Sequence, residues 1–305
     1  MKQNNRKKNG SAKGRSARKR SGRPVALVTG ASTGIGRELA KLLAHDGYDL
    51  VVTARRRPLL TALAREIEDT YAATVTVVSV DLARPSGPQR LFDEVRKRAL
   101  EVEVLVNNAG VASFGRFTNG SLADQLGVVQ LNAVALTALT RLFVEPMVER
   151  GHGRILNVAS VAAFQPTPSL AVYGATKAFV LSLSESLSIE LADCGVTVTA
   201  LCPGFTQTPL VEKAERELDR HDLIPGALML DPVTVAREGY DAMKAGRTVC
   251  INGWPYELAV LWERMQPRWL VRAVAGLVGQ RFYGEADGDG AARRPAAARA
   301  RAAAR

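Results

Sequence analysis

Apolar residues along this chain fall into short continuous runs, separated by stretches where they recur every three or four positions. The first run, 25–28, ends in Thr29-Gly30. A short apolar run bounded by a turn predicts a strand buried on both faces. Ile35, Leu39, Leu42 and Leu43 then share one side of a helix, and Gly47 supplies a stop. The same alternation gives strands at 50–53, 75–80 and 102–106, with helices at 59–71 and 91–100. Residues 122–150 predict one long helix bent near Pro146, because proline removes a backbone donor and crowds the preceding turn. A strand at 153–159, a helix at 173–192 and a strand at 196–201 follow. Next comes a helix at 231–244, with Asp231 as cap and Pro232 in its first turn. A short strand at 248–251 ends the series. Apolar strands alternating with helices imply an α/β fold, a doubly wound parallel sheet covered on both faces.

Two segments break the rhythm. Residues 205–230 carry a mixed stretch with a helix expected at 211–223. Residues 256–284 form an extension of two helices split at Pro267. The expected organisation is a single dinucleotide-binding domain over 24–255, the helical extension, and tails at 1–23 and 285–305. No stretch reaches the roughly 18–20 unbroken apolar residues that cross a bilayer.

Composition changes this picture only through charge. The 305 residues are 47% hydrophobic with a net charge of +11. Ten Lys/Arg and no acid lie within residues 1–23, and five Arg against three acids within 285–305, so the body between them is near neutral. Such tails cannot bury enough apolar surface to offset ordering entropy, and disorder is expected. Contact with nucleic acid or an acidic membrane is open to the tails and unsupported by the body. Cys194, Cys202 and Cys250 form no metal-spaced cluster, and no metal site is expected. Reduced cysteines and the lack of a secretory apolar stretch point to the cytoplasm, with a membrane-peripheral place as the alternative. His45, His152 and His221 are isolated and read as surface or cap residues.

The chemistry is concentrated at strand ends. The first strand runs into Thr29-Gly30-Ala31-Ser32-Thr33-Gly34-Ile35-Gly36. Glycines let the backbone turn sharply and a phosphate approach it, and the following helix offers free N–H groups to an anion. The second strand ends without the acid that would bind a ribose 2′-hydroxyl; Arg55, Arg56 and Arg57 stand there instead. Arg55 can pair a 2′-phosphate, favouring NADP(H) with NAD(H) as the alternative; the bland reading is a solvated charge run. Tyr173 and Lys177 lie four apart on one helical face, and a neighbouring ammonium lowers a phenol's pKa toward the neutral range. Ser160, at a strand end, can hydrogen-bond a substrate oxygen.

The spacing of Gly30, Gly34 and Gly36 resembles the T-G-x-x-x-G-x-G turn of the short-chain dehydrogenase/reductase family. Further matches follow in order: Asp81-Leu82, Asn107-Asn108-Ala109-Gly110, Asn132, Ser160, Tyr173-Gly174-Ala175-Thr176-Lys177, and Pro203-Gly204 with Thr206 and Thr208. The resemblance covers about residues 24–253 and implies a Rossmann-type NAD(P)-dependent oxidoreductase acting on a carbonyl/alcohol pair. It implies Asn132, Ser160, Tyr173 and Lys177 as the catalytic set. Tyr173 would exchange the proton and Ser160 position the carbonyl oxygen. Lys177 would lower the tyrosine pKa and hold ribose hydroxyls, and Asn132 would hold a water leading from Lys177 to solvent. The cofactor contacts it implies are Gly30, Ser32, Thr33, Gly34, Ile35, Gly36, Asp81, Leu82, Asn108, Ala109, Gly110, Tyr173, Lys177, Pro203, Gly204, Thr206 and Thr208, joined by Arg55. It also implies a homo-oligomer, with a dimer favoured over a tetramer because the usual Asp-Gly-Gly ending is replaced by Asn252-Gly253-Trp254 and extra helices.

Phe205, Leu210, Leu223, Ile224, Leu228 and Met229 suggest an apolar small-molecule substrate under a lid, a steroid-like, fatty or aromatic ketone or alcohol, unless they merely pack that lid down. The Arg/Trp/Leu helices after residue 255 could cover the cleft, meet a second subunit or touch an acidic bilayer. A non-catalytic cofactor-binding regulator is the remaining alternative, disfavoured by the complete Asn–Ser–Tyr–Lys set.

Overall fold

The computed structural model describes residues 22–217 and 225–283. Both predicted tails, apart from Gly22, Arg23 and the boundary at 283, lie outside these residues, as do His221, Leu223 and Ile224 of the expected lid. Seven parallel strands form one sheet in the order β3-β2-β1-β4-β5-β6-β7. They are β1 (Val25–Thr29), β2 (Asp49–Ala54), β3 (Val75–Ser79), β4 (Val102–Asn107), β5 (Gly153–Val158), β6 (Val196–Cys202) and β7 (Val249–Ile251). The order reverses between β1 and β4, and such a switch point leaves a crevice at the carboxyl ends of the strands.

Alternation along the central strand builds both cores. Ala26 and Val28 of β1 pack toward α1 (Gly34–His45), α2 (Arg57–Tyr71) and α8 (Pro232–Lys244). Val25 and Leu27 pack toward α3 (Gly87–Lys97) and α5 (Leu136–Arg150). Side chains of successive strand residues point to opposite faces, so a strand covered on both sides must be apolar throughout, as β1 is. Asp46, just past α1, accepts from the Tyr240 hydroxyl (2.7 Å) and Lys244 Nζ (2.7 Å) of α8. Those two donors hold its carboxyl well below the usual carboxylate range.

The Asp231 cap forms as expected, accepting from Thr234 N at 3.1 Å. The long helix also forms, spanning Leu122–Arg150. It divides into α4 (Leu122–Val129), a π-helical turn at Gln130–Ala135, and α5, which continues through Pro146 to Arg150. Its departure from α geometry lies around Asn132, where side-chain bonds to a loop and to a neighbouring helix hold the residue inward. The whole span Leu122–Arg150 is long and apolar enough to cross a membrane, yet it packs Leu139, Phe143 and Met147 into the core. The third helix starts at Gly87, earlier than the apolar pattern suggests, because Pro88 suits a first helical turn. Within α6 (Ala171–Glu190), Ser184 is fully buried and accepts from Asn157 Nδ2 at 3.0 Å.

Candidate active site

Strand β1 ends at Thr29, and Gly30 (φ +65°) and Gly34 (φ +58°) make the turn into α1. A Cβ at Gly30 would meet Asn108 Nδ2 at 2.7 Å, and one at Gly36 would overlap the same amide. Asn108 thus crowds two of the three glycines, beside backbone of Ala109 at Gly30 and of Gly30 at Gly36. Its Nδ2 donates to the carbonyls of Thr29 (2.9 Å) and Gly30 (3.2 Å). The Thr29 hydroxyl accepts from the backbone of Asn108 (2.9 Å) and Ala109 (3.0 Å). This clamp fixes the loops after β1 and β4 against each other across the switch point.

Beside the clamp lies a cleft of about 440 Å³. It is lined by Gly30, Ser32, Thr33, Gly34 and Ile35 from the first turn and by Arg55 beyond β2. Asp81 and Leu82 beyond β3, Asn108, Ala109 and Gly110 beyond β4, and Thr208 complete the expected set. Gly36, Tyr173, Lys177, Pro203, Gly204 and Thr206 are not on its wall. Sequence reasoning missed several cleft residues, above all Arg56, Lys213 and Arg216. Arg56 donates to the Thr33 hydroxyl at 3.5 Å. Lys213 and Arg216 come from α7 (Pro209–Glu217), the described part of the helix expected at 211–223. Their i, i+3 spacing on a helix beside Thr208 was the available signal. Four cationic side chains thus surround a space with glycine turns and a helix N-terminus, a donor set suited to a phosphorylated dinucleotide.

Two of the four proposed catalytic residues, Asn132 and Lys177, meet at Gly110; Tyr173 adjoins Lys177, and Ser160 adjoins Tyr173. A Cβ at Gly110 would stand 3.3 Å from Asn132 Oδ1 and 3.5 Å from Lys177 Nζ. Asn132 accepts from Val111 N (2.9 Å) and donates to Val111 O (2.9 Å) and Thr176 Oγ1 (3.1 Å). Both its N–H groups are thereby engaged, so the side chain braces the loop and α6. Lys177 is buried, donates to Val158 O at 2.7 Å, and stands 5.6 Å from the centroid of the Tyr173 ring. Burial lowers its pKa to about 8. The Tyr173 phenol is raised by burial, and the Ser160 hydroxyl beside it acts against that rise. Ser160 Oγ also accepts from Ala162 N at 3.1 Å, capping a short turn that leads to Phe164.

The lid segment is stitched to the site at its base. Leu230 N donates to Phe205 O (2.8 Å) and Gln207 N to Leu230 O (2.9 Å). Tyr256, in α9 (Trp254–Met265), donates from its hydroxyl to Leu228 O (2.6 Å) and accepts from Phe205 N (3.2 Å). A Cβ at Gly204 would overlap the Tyr256 ring, so this glycine makes room for the extension. Arg264 of the same helix stacks 5.2 Å over Phe164. Helix α9 therefore touches both the lid segment and the segment after Ser160.

Residues 24–219 match the family described as short chain dehydrogenase. An uncharacterized oxidoreductase of Staphylococcus saprophyticus is 32% identical over 208 residues, 67% of this chain and 89% of that protein. A short-chain dehydrogenase from Sphingobium yanoikuyae, solved in complex with NADPH, is 32% identical with a TM-score of 0.72. That likeness covers 83% of this chain and 94% of the other. The bulky-bulky ketone specific alcohol dehydrogenase from Comamonas testosteroni is 28% identical with a TM-score of 0.68, over 79% and 92% of the two chains.

Proposed function

Since this chain belongs to the short-chain dehydrogenase family and is an NAD(P)-dependent oxidoreductase of carbonyl/alcohol pairs, we propose that it uses NADP(H) on a bulky apolar substrate, with Tyr173 exchanging the proton. The observation that carries this reading is the meeting, at Gly110, of a cation-lined cleft with the buried Lys177 and its neighbours. The residues present fit the cofactor: the glycine turn and the N-terminus of α1 suit a pyrophosphate, and Arg55 and Arg56 suit a 2′-phosphate. NADP(H), when bound, supplies or accepts the hydride.

The protein's own groups then have distinct tasks. Ser160 donates to the substrate oxygen. Tyr173, its pKa raised, is a neutral phenol at pH 7, the form that gives a proton to a carbonyl being reduced. Lys177 is mostly ammonium at that pH; with one N–H on Val158 O, two remain to hold ribose hydroxyls. Asn132 is a positioning residue that fixes the loop at Val111 and the helix at Thr176. Phe205 and Leu228, exposed at the lid base, support an apolar substrate, as does the bulky-ketone preference in the Comamonas enzyme's description. Exposed Leu126 on α4 and Phe179 on α6 support a dimer through that face.

The test is reduction of bulky aryl or alicyclic ketones, with NADPH and NADH compared. NADPH is the better donor, and Arg55→Ala raises its KM about tenfold, the equivalent of one charge-assisted contact of about 1.4 kcal/mol, while leaving the KM for NADH unchanged. Equal or better use of NADH by the unmodified enzyme would overturn the NADP reading.

A further inference from the structure

Helix α9 is inside out. Trp254, Leu258, Leu261, Trp262 and Met265 fall on one side at helical spacing, and every one of them is 46–75% exposed. The side turned to the protein carries Tyr256, Val260 and Glu263, and burial lifts the Glu263 carboxyl to about 7. In α10 (Arg268–Tyr283) Trp269, Ala273 and Leu277 repeat the pattern outward, while Val271 and Ala275 are buried. A helix that places its polar groups inward and its largest apolar groups outward has a second apolar phase to meet.

Charge identifies that phase. Arg268 and Arg272, both exposed, lie four apart beside the Trp269–Leu277 line. Residues 285–305, which continue from the end of α10, add five Arg against three acids, and residues 1–23 add ten Lys/Arg without an acid. A two-fold pairing of this face with itself would gather four arginines, Arg268 and Arg272 of each copy, in one interface, with Glu257 of each copy as the exposed acid on α9. An anionic bilayer surface satisfies both features: tryptophan favours the headgroup level, and arginine stems lie along apolar surface with the charge in the headgroups. We infer that the outer face of α9 and α10 is a docking surface for an anionic lipid bilayer, with the protein lying on the membrane and not crossing it there. Because Tyr256 ties α9 to Phe205 and Leu228, docking engages the same helix that holds the lid.

All three tryptophans of the chain, Trp254, Trp262 and Trp269, belong to this face, so intrinsic fluorescence reads it directly. The full-length protein is mixed with vesicles of phosphatidylglycerol and phosphatidylcholine in equal parts, and with phosphatidylcholine alone. A blue shift, with quenching by acyl-brominated lipid, is expected with the anionic vesicles. The triple variant Leu258→Ser/Leu261→Ser/Met265→Ser keeps the tryptophans and weakens binding about tenfold or more. The double variant Arg268→Glu/Arg272→Glu weakens it with even less disturbance of packing; circular dichroism and thermal unfolding check that both fold. Flotation without a change in tryptophan emission would assign binding to the basic tails and overturn the inference. So would a dimer in solution that the triple variant dissociates, with no emission change on vesicles.

Discussion

Replacing Lys177 with methionine is expected to stabilise the protein near neutral pH while removing its activity. The ammonium is buried, and its pKa stands at about 8 against an ordinary 10.5. At about 1.4 kcal/mol per pH unit, keeping it charged in the folded state costs about 3 kcal/mol. Methionine removes that cost but leaves Val158 O, which accepts at 2.7 Å, without its donor, a loss of about 1–2 kcal/mol. The net gain is about 1–2 kcal/mol, or a rise in Tm of roughly 3–6 °C for a domain of this size. The pH dependence gives the signature. Between pH 8 and 10.5 the unfolded chain binds a proton that the folded one has released, so the stability of the unmodified protein rises with pH across that window. The advantage of the variant is therefore full below pH 8 and gone by about 10.5, where the lost hydrogen bond leaves it the less stable of the two. Thermal unfolding of both proteins, without added cofactor, at a series of pH values from neutral to 10 measures this. A variant that is less stable at pH 7, or a difference that does not change with pH, would refute the reasoning.

Tyr173→Phe should lower ketone reduction by about 100-fold or more, through loss of the proton donor, with an unchanged Tm; steady-state rates beside calorimetry check it. Tyr256→Phe removes two hydrogen bonds, to Leu228 O and from Phe205 N, that water can partly replace. It should cost about 1 kcal/mol and raise the ketone KM several-fold with kcat less affected. Asp46→Asn should destabilise by about 1 kcal/mol at pH 7. The Asp46 carboxyl is depressed in the folded state, so its contribution is full above the ordinary carboxylate range and is lost as pH falls below that range toward the depressed folded value; acid titrations of the two proteins should converge at low pH.

The strands and most helices were legible because burial on two faces demands continuous apolar runs, which only a few residue types supply. Asp231 and Pro232 announced the start of α8 for the same kind of local reason. What sequence could not provide was set by contacts between distant segments. The turn at Asn132 depends on Val111 and Thr176, 21 and 44 residues away. Gly30 and Gly36 read as phosphate-turn residues, yet both are also crowded by Asn108, from the loop after β4. Lys213 and Arg216 reach the cleft only because α7 follows Thr208. The tyrosine–lysine spacing brought the pair together on one face as expected. Their pKa values could not be read from it, because burial and the Ser160 hydroxyl, not sequence distance, set them.

The π turn at Gln130–Ala135 amounts to one more residue than an unbroken α-helix would need between Leu122 and Arg150. That single surplus residue sets the angular offset between two helical faces that serve different masters. Upstream of it, Ser121 caps α4 by accepting from Asp124 N, and Gln125 donates to Phe117 O at 2.7 Å. Downstream, Leu139, Phe143 and Met147 face the sheet. Deleting one residue within the turn would restore a regular helix and rotate one half by about 100° against the other. Either the core or the bracing of the loop at Val111 would then lose its register. The history of this helix is therefore best followed as insertions and deletions, and a relative aligned here without a gap should have kept both faces in phase.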